Sequence, residues 1–125
     1  MKSSDRAVVL AGHGSRTRGF SAAMRRVARD LAADGGFGRI ICAYLEIARP
    51  SIAEAIDRAV AAGAAEVRVL PYFVLSGRHV KEHFPAIAAA ARKKHGRRAR
   101  IILCPYLGYD KKVVSLTKER IRQGR

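Results

Sequence analysis

Two histidines occupy matching places on the chain. His13, in Ala11-Gly12-His13-Gly14-Ser15, follows the apolar run Ala7 to Ala11, and His79, in Ser76-Gly77-Arg78-His79, follows the run Val67 to Leu75. If both runs are strands of one parallel sheet, both imidazoles emerge at the edge where open α/β sheets bind their ligands. Glu46 closes a third apolar run, Ile40 to Leu45, and joins them there. Two neutral imidazoles and a carboxylate suit a divalent transition metal, and so small a set leaves coordination positions open for exchange. His13, His79 and Glu46 are therefore candidate metal ligands, and the imidazoles are also candidate proton acceptors.

The rest of the pattern supplies the scaffold. Strand and helix alternate four times, which predicts one α/β domain over residues 1–125, three-layered around a mostly parallel four-stranded sheet. Phe20, Met24, Val27, Ala28 and Leu31 recur at helical spacing until Asp34-Gly35-Gly36 stops them. Ser51-Ile52-Ala53-Glu54 matches a capping box, opening a helix whose stripe is Ile52, Ile56, Ala59 and Val60 and whose stop is Gly63. Further helices are expected from about Phe84 to His95 and from about Asp110 to Gln123, the second burying Val113, Val114, Leu116 and Ile121. Pro71 cannot donate to a sheet ladder, so the third strand should finish near it. Tyr72, Phe73, Val74 and Leu75 then form an apolar wall above the sheet edge.

Composition narrows the function classes. Of 125 residues, 49% are hydrophobic, enough for a packed core. No apolar stretch is long enough to span a membrane and the chain opens on polar residues, so a cytoplasmic protein with no membrane partner is expected. Cys42 and Cys104 lie in separate apolar runs without CxxC spacing and read as buried free thiols. With 25 Lys and Arg against 10 Asp and Glu, the chain carries a formal charge of +15, which attracts anions. The densest block, Arg92 to Arg100, lacks interleaved aromatics, so a nucleic-acid-binding module is favoured by charge alone and no specific nucleic-acid partner is expected. That block reads as a solvated turn with cations at a helix C-terminus.

Two motif readings weaken on inspection. Gly12-x-Gly14-x-x-Thr17 lacks the third glycine of a dinucleotide fingerprint and no acid follows about 20 residues on. His79-Val80-Lys81-Glu82-His83 has the spacing of some zinc peptidases, but those need both histidines one turn apart on a single helical face. Pro85 opposes a helix through that segment. His79 is accordingly expected on a loop, with His83 and His95 as surface or helix-terminal residues.

Taken together, the motifs resemble the sirohydrochlorin chelatases of cobalamin and siroheme synthesis in their short single-domain form. The resemblance covers nearly the whole chain, through Leu10-Ala11-Gly12-His13-Gly14-Ser15-Arg16, Leu45 to Ile52, Val69-Leu70-Pro71-Tyr72-Phe73 with Gly77-Arg78-His79-Val80, and Pro105 to Asp110. It implies a flavodoxin-like half of a chelatase that inserts a divalent metal into sirohydrochlorin with no organic cofactor. Co2+ stands first, then Fe2+, then Ni2+, and the metal is a substrate. His13 and His79 would bind metal and accept protons, with Glu46 assisting. The macrocycle is fringed with carboxylates, which gives the basic excess a purpose. Ser15, Arg16, Arg18, Tyr72, Phe73, Arg78 and Lys81 would contact it, the arginines in bidentate fashion.

The resemblance also implies a partner. Longer chelatases enclose the macrocycle between two similar halves, so a homodimer would complete the site. One departure stands out: where the family usually has an acid and an isoleucine before the proline, this chain has His83-Phe84-Pro85. That difference bears on metal preference. A tetrapyrrole or metal carrier that keeps the pocket without turnover is the main alternative.

Overall fold

The computed structural model describes residues 2–125. Four strands, β1 (Arg6–Gly12), β2 (Arg39–Tyr44), β3 (Glu66–Pro71) and β4 (Arg100–Leu103), form one sheet in the order β2-β1-β3-β4, every pair parallel. Helices α1 (Phe20–Asp34), α2 (Ile52–Ala61) and α3 (Phe84–His95) link them, and α4 (Lys111–Gln123) follows β4. Because all strands run one way, their carboxyl ends share an edge. The chain leaves β1 toward β2 on one side and places β3 on the other, so the order reverses between β1 and β3, the position at which such sheets open a crevice.

Alternation along the strands decides which helix covers which face. Val9 and Ala11 of β1 and Val67 and Val69 of β3 pack against Ile52, Ala55 and Ile56 of α2 and Phe84 and Ala91 of α3. On the opposite face Leu10 and Tyr44 pack against Met24 and Ala28 of α1. Three layers result, as the sequence pattern predicts. Pro71 is the last residue of β3, where its missing N–H costs no internal ladder bond.

The α2 start is built as its sequence suggests. The Ser51 hydroxyl accepts from the Glu54 N–H at 3.1 Å and the Glu54 carboxylate accepts from the Ser51 N–H at 3.0 Å. The Ser51 N–H and the Arg49 guanidinium hold the Glu54 carboxyl down at about 2. With the folded value below the ordinary 4.5, this contribution to stability is complete above pH 4.5 and disappears as pH falls toward 2. Ser51→Ala is expected to cost about 1 kcal/mol at pH 7, measured by urea unfolding, because one helix N–H loses its acceptor. A midpoint equal to wild type would show that water replaces the cap.

The structure corrects one expectation about helices and sharpens another. α4 buries no residue: Val114, Leu116 and Ile121 are 38, 46 and 74% exposed. On the α1 side of the sheet, β3 carries Glu66 and Arg68 beside Leu70, bonded to each other at 3.0 Å, so that part of the face is a polar strip rather than an apolar seat. His95, expected at the surface or a helix end, is both the last residue of α3 and buried, its Nε2 2.6 Å from Asp57 Oδ1 on α2. Lys94, bonded to the same carboxylate, is the main cause of its lowered pKa. Cys42 and Cys104 are free and half-buried, and burial raises both thiols.

Candidate functional site

The turn after β1 is clamped to the turn after β2. Beyond the paired strands, the Leu45 N–H donates to the Gly12 carbonyl at 3.0 Å and the Glu46 N–H to the His13 carbonyl at 3.1 Å. Gly14 makes this approach possible: at φ +104°, a Cβ there would stand 1.8 Å from the Glu46 carbonyl oxygen. Next to Glu46 the backbone is strained. Ile47 has φ +71°, an outlier for a β-branched residue, and the Ala48 N–H reaches back to the Glu46 carbonyl at 2.7 Å. The outcome is a carboxylate placed 3.1 Å from the Nε2 of His13.

Donor and acceptor counting constrains what that pair can hold. His13 Nδ1 lies 3.1 Å from the Gly14 carbonyl oxygen, which can only accept. Nε2 faces a carboxylate oxygen, which in its ionised form also only accepts. A neutral imidazole has one N–H and cannot serve both. With Nδ1 donating to Gly14, the bare Nε2 and the Glu46 oxygen converge on a position suited to a cation, whether a proton or a metal ion. Both side chains are open to solvent, at 45 and 57% exposure, so ions can come and go.

His79 comes to the same place from β3. Its ring centroid is 5.0 Å from that of His13, so the three candidate ligands lie near one another across the β1–β3 reversal, although among the described residues no three of them converge on one metal position. Its position is braced from the core: fully buried Phe84 meets Phe73 edge-on at 5.7 Å, and Phe73 meets His79 edge-on at 6.2 Å. The expectation of a loop here is wrong. His79–His83 forms one π-helical turn that runs directly into α3, closed by a bond from the Phe84 N–H to the His79 carbonyl. The wider turn accommodates Pro85, which has no N–H to contribute. His79 and His83 do share a helical face, with their Nδ1 atoms 2.6 Å apart.

The other candidates differ in their surroundings. Tyr72, Phe73, Val74 and Leu75 line one wall of an open cleft of ≈ 700 Å³, while Phe20, Met24 and Val27 of α1 form the other, with His13 at its end. Arg16, Arg18 and Lys81 are exposed. Arg78 is bonded to Glu82 at 2.8 Å. The Ser15 hydroxyl accepts from the Thr17 N–H at 2.9 Å, so its first role is to shape the turn. His83 is the residue that sequence reasoning set aside. Its signal was the i, i+4 spacing to His79, outweighed there by Pro85.

Known proteins match the chain along its length. The CbiX family model matches residues 7–124. A sirohydrochlorin ferrochelatase of Arabidopsis thaliana chloroplasts is 29% identical over 92% of the chain and 51% of its own length. A sirohydrochlorin cobaltochelatase of Sulfolobus acidocaldarius is 28% identical over 90% of the chain and 87% of its own. The sirohydrochlorin chelatase SirB of Bacillus subtilis, solved in complex with cobalt, superimposes with a TM-score of 0.87 at 25% identity, over 98% of this chain and 51% of that one. The chain thus spans about half the length of two of these proteins and most of the third.

Proposed function

The chain belongs to the CbiX family, and we propose on that footing that it is a metal chelatase, inserting Co2+ or Fe2+, with Ni2+ a third option, into sirohydrochlorin. The observation that carries this reading is the meeting of His13, Glu46 and His79 at one sheet edge, with an apolar cleft beside them. The relatives named for cobalt and for iron support the metal class. Residues 1–125 act as one chelatase domain, and the half-buried free thiols suit the reducing cytoplasm.

The chemistry follows from the geometry. Metallation exchanges two pyrrole N–H protons for one M2+, so the site must hold the ion loosely and take up protons. His13 Nε2 and Glu46 supply two donors and leave further positions open to water or to pyrrole nitrogens. As the ion leaves them for the macrocycle, the same basic atoms are free to accept the displaced protons. The apolar walls, Tyr72 and Phe73 on one side and Phe20 and Met24 on the other, pack against the ring, while Arg16, Arg18, Arg78 and Lys81 bind its peripheral carboxylates with Ser15 at the turn. His79 is both metal donor and proton acceptor opposite His13.

A second copy completes the enclosure in this reading. Leu75 and Tyr109 are 80 and 85% exposed at the carboxyl edge, and α4 offers an uncovered apolar side. A homodimer would cover both. The test is anaerobic visible absorption of sirohydrochlorin with Co2+ or Fe2+ at catalytic protein concentration, alongside sedimentation in the same buffer. Repeated turnover by a dimer is expected. Saturation at one equivalent of product would replace the enzyme by a carrier, and an active monomer would overturn the dimer.

A further inference from the structure

His79 faces a second neighbour besides His13. The Nδ1 atoms of His79 and His83 lie 2.6 Å apart, with ring centroids at 4.7 Å. A neutral imidazole has one bare nitrogen, and here the two rings turn the same atom toward each other. At that distance either one proton lies between the two nitrogens or a metal ion can replace it. Two nitrogens on a tetrahedral ion at about 2.0–2.1 Å stand roughly 3.3 Å apart. Rotation of the exposed His83 ring supplies the difference.

The surroundings make this pair a site in its own right. His79 is braced by Phe73, itself backed by Phe84 from the core, whereas His83 is exposed. Among the described residues no three metal-binding side chains converge on one point. The histidines and Glu46 therefore divide into two sets of two donors, His13 with Glu46 and His79 with His83, bridged by the 5.0 Å contact of His13 and His79. An imidazole pair favours Co2+, Ni2+ and Zn2+ over Mg2+ and Mn2+, which prefer oxygen donors.

We propose that His83 is a metal-binding residue, forming with His79 a two-imidazole station that receives the divalent cation on the rim of the cleft and passes it to His13 and Glu46. The inference rests on the chelatase reading for the ion's destination, not for its binding. Two protein donors leave at least two positions open on a four-coordinate ion, so the station can release what it takes. His83 thereby sets metal preference at a position where the resembled family usually places an acid.

The experiment titrates the full chain with Co2+ alone, anaerobically and without tetrapyrrole, following the visible ligand-field absorption. In a His13→Ala background, where the other station lacks its imidazole, one Co2+ should still bind. Adding His83→Ala should then weaken that binding about tenfold or more. His79→Ala should do the same, and the two together no more than either alone, because both act through one ion. Mg2+ should not compete. Circular dichroism checks that each variant folds, which the exposure of His83 favours. Equal Co2+ affinity and spectrum with and without His83 would overturn the proposal, whatever the turnover. Loss of turnover in wild type with this Co2+ binding intact would instead overturn the chelatase reading and leave the station standing.

Discussion

His13→Ala is expected to lower kcat/KM for Co2+ insertion into sirohydrochlorin by about 10²–10³-fold, with the fold intact. The size follows from what one side chain supplies. A positioned general base contributes about 10²–10⁴-fold, and His13 is also half of the donor pair that meets Glu46 at 3.1 Å. A loss of 10²–10³ corresponds to about 3–4 kcal/mol of barrier. Stability should hardly change, because the ring is 45% exposed, and apart from Glu46 its polar bond is to the neighbouring Gly14 carbonyl.

His79→Ala should fall in the same range, and the double variant should lose little more than the worse single one, since both rings act on one ion and its displaced protons. Glu46→Gln keeps the shape but removes the charge facing Nε2, and should give a smaller loss than either histidine variant. Rates are read from initial slopes of product absorption, with thermal unfolding as the control. If folded His13→Ala retained most of the wild-type rate, the sheet-edge cluster would not be where insertion occurs, and the resemblance to chelatases would mark the fold alone.

How much of this was legible in the sequence depends on the range of the forces involved. Strand and helix positions were legible because burial imposes periods of two and 3.6 on residues such as Val67 and Val69 or Ile52 and Ile56. The capping box at Ser51 was legible because both of its bonds are local. His13, Glu46 and His79 could be placed together because parallel topology alone sends their strand ends to one edge. What failed depended on geometry that spacing does not encode. Pro85 excludes a regular α-helix through His79–His83 but not a π turn, whose wider ring of atoms tolerates a missing N–H. The apolar stripe of α4 was read correctly as a pattern, yet a stripe does not specify what covers it, and Val114, Leu116 and Ile121 stay exposed. His95 is buried because Asp57, distant in sequence, partners it.

The second large effect concerns a residue with no chemistry of its own. Gly14→Ala is expected to destabilise the fold by about 3 kcal/mol or more and to disable the site as well. Its φ of +104° is strained for alanine, costing about 1–3 kcal/mol. In addition the new Cβ would sit 1.8 Å from the Glu46 carbonyl oxygen and 3.0 Å from its carbon, both backbone atoms that cannot rotate away. Overpacking of this kind costs about a further 1–3 kcal/mol. Gly19 is the natural control, with φ +88° and nothing within 4 Å of its Cβ, so Gly19→Ala should show the torsional cost alone. Relief at Gly14 requires the Glu46 turn to back away by more than an ångström, which breaks the Glu46 to His13 backbone bond and withdraws the carboxylate from Nε2. Urea midpoints of the two alanine variants, compared with their Co2+ affinities, separate these parts. Gly14→Ala should lose both, whereas Gly19→Ala should lose only the torsional part of the stability, about 1–3 kcal/mol, and keep its Co2+ affinity. Equal midpoints would mean that the β1 and β2 turns give way easily, and that the 3.1 Å approach of Glu46 to His13 is not enforced by the backbone.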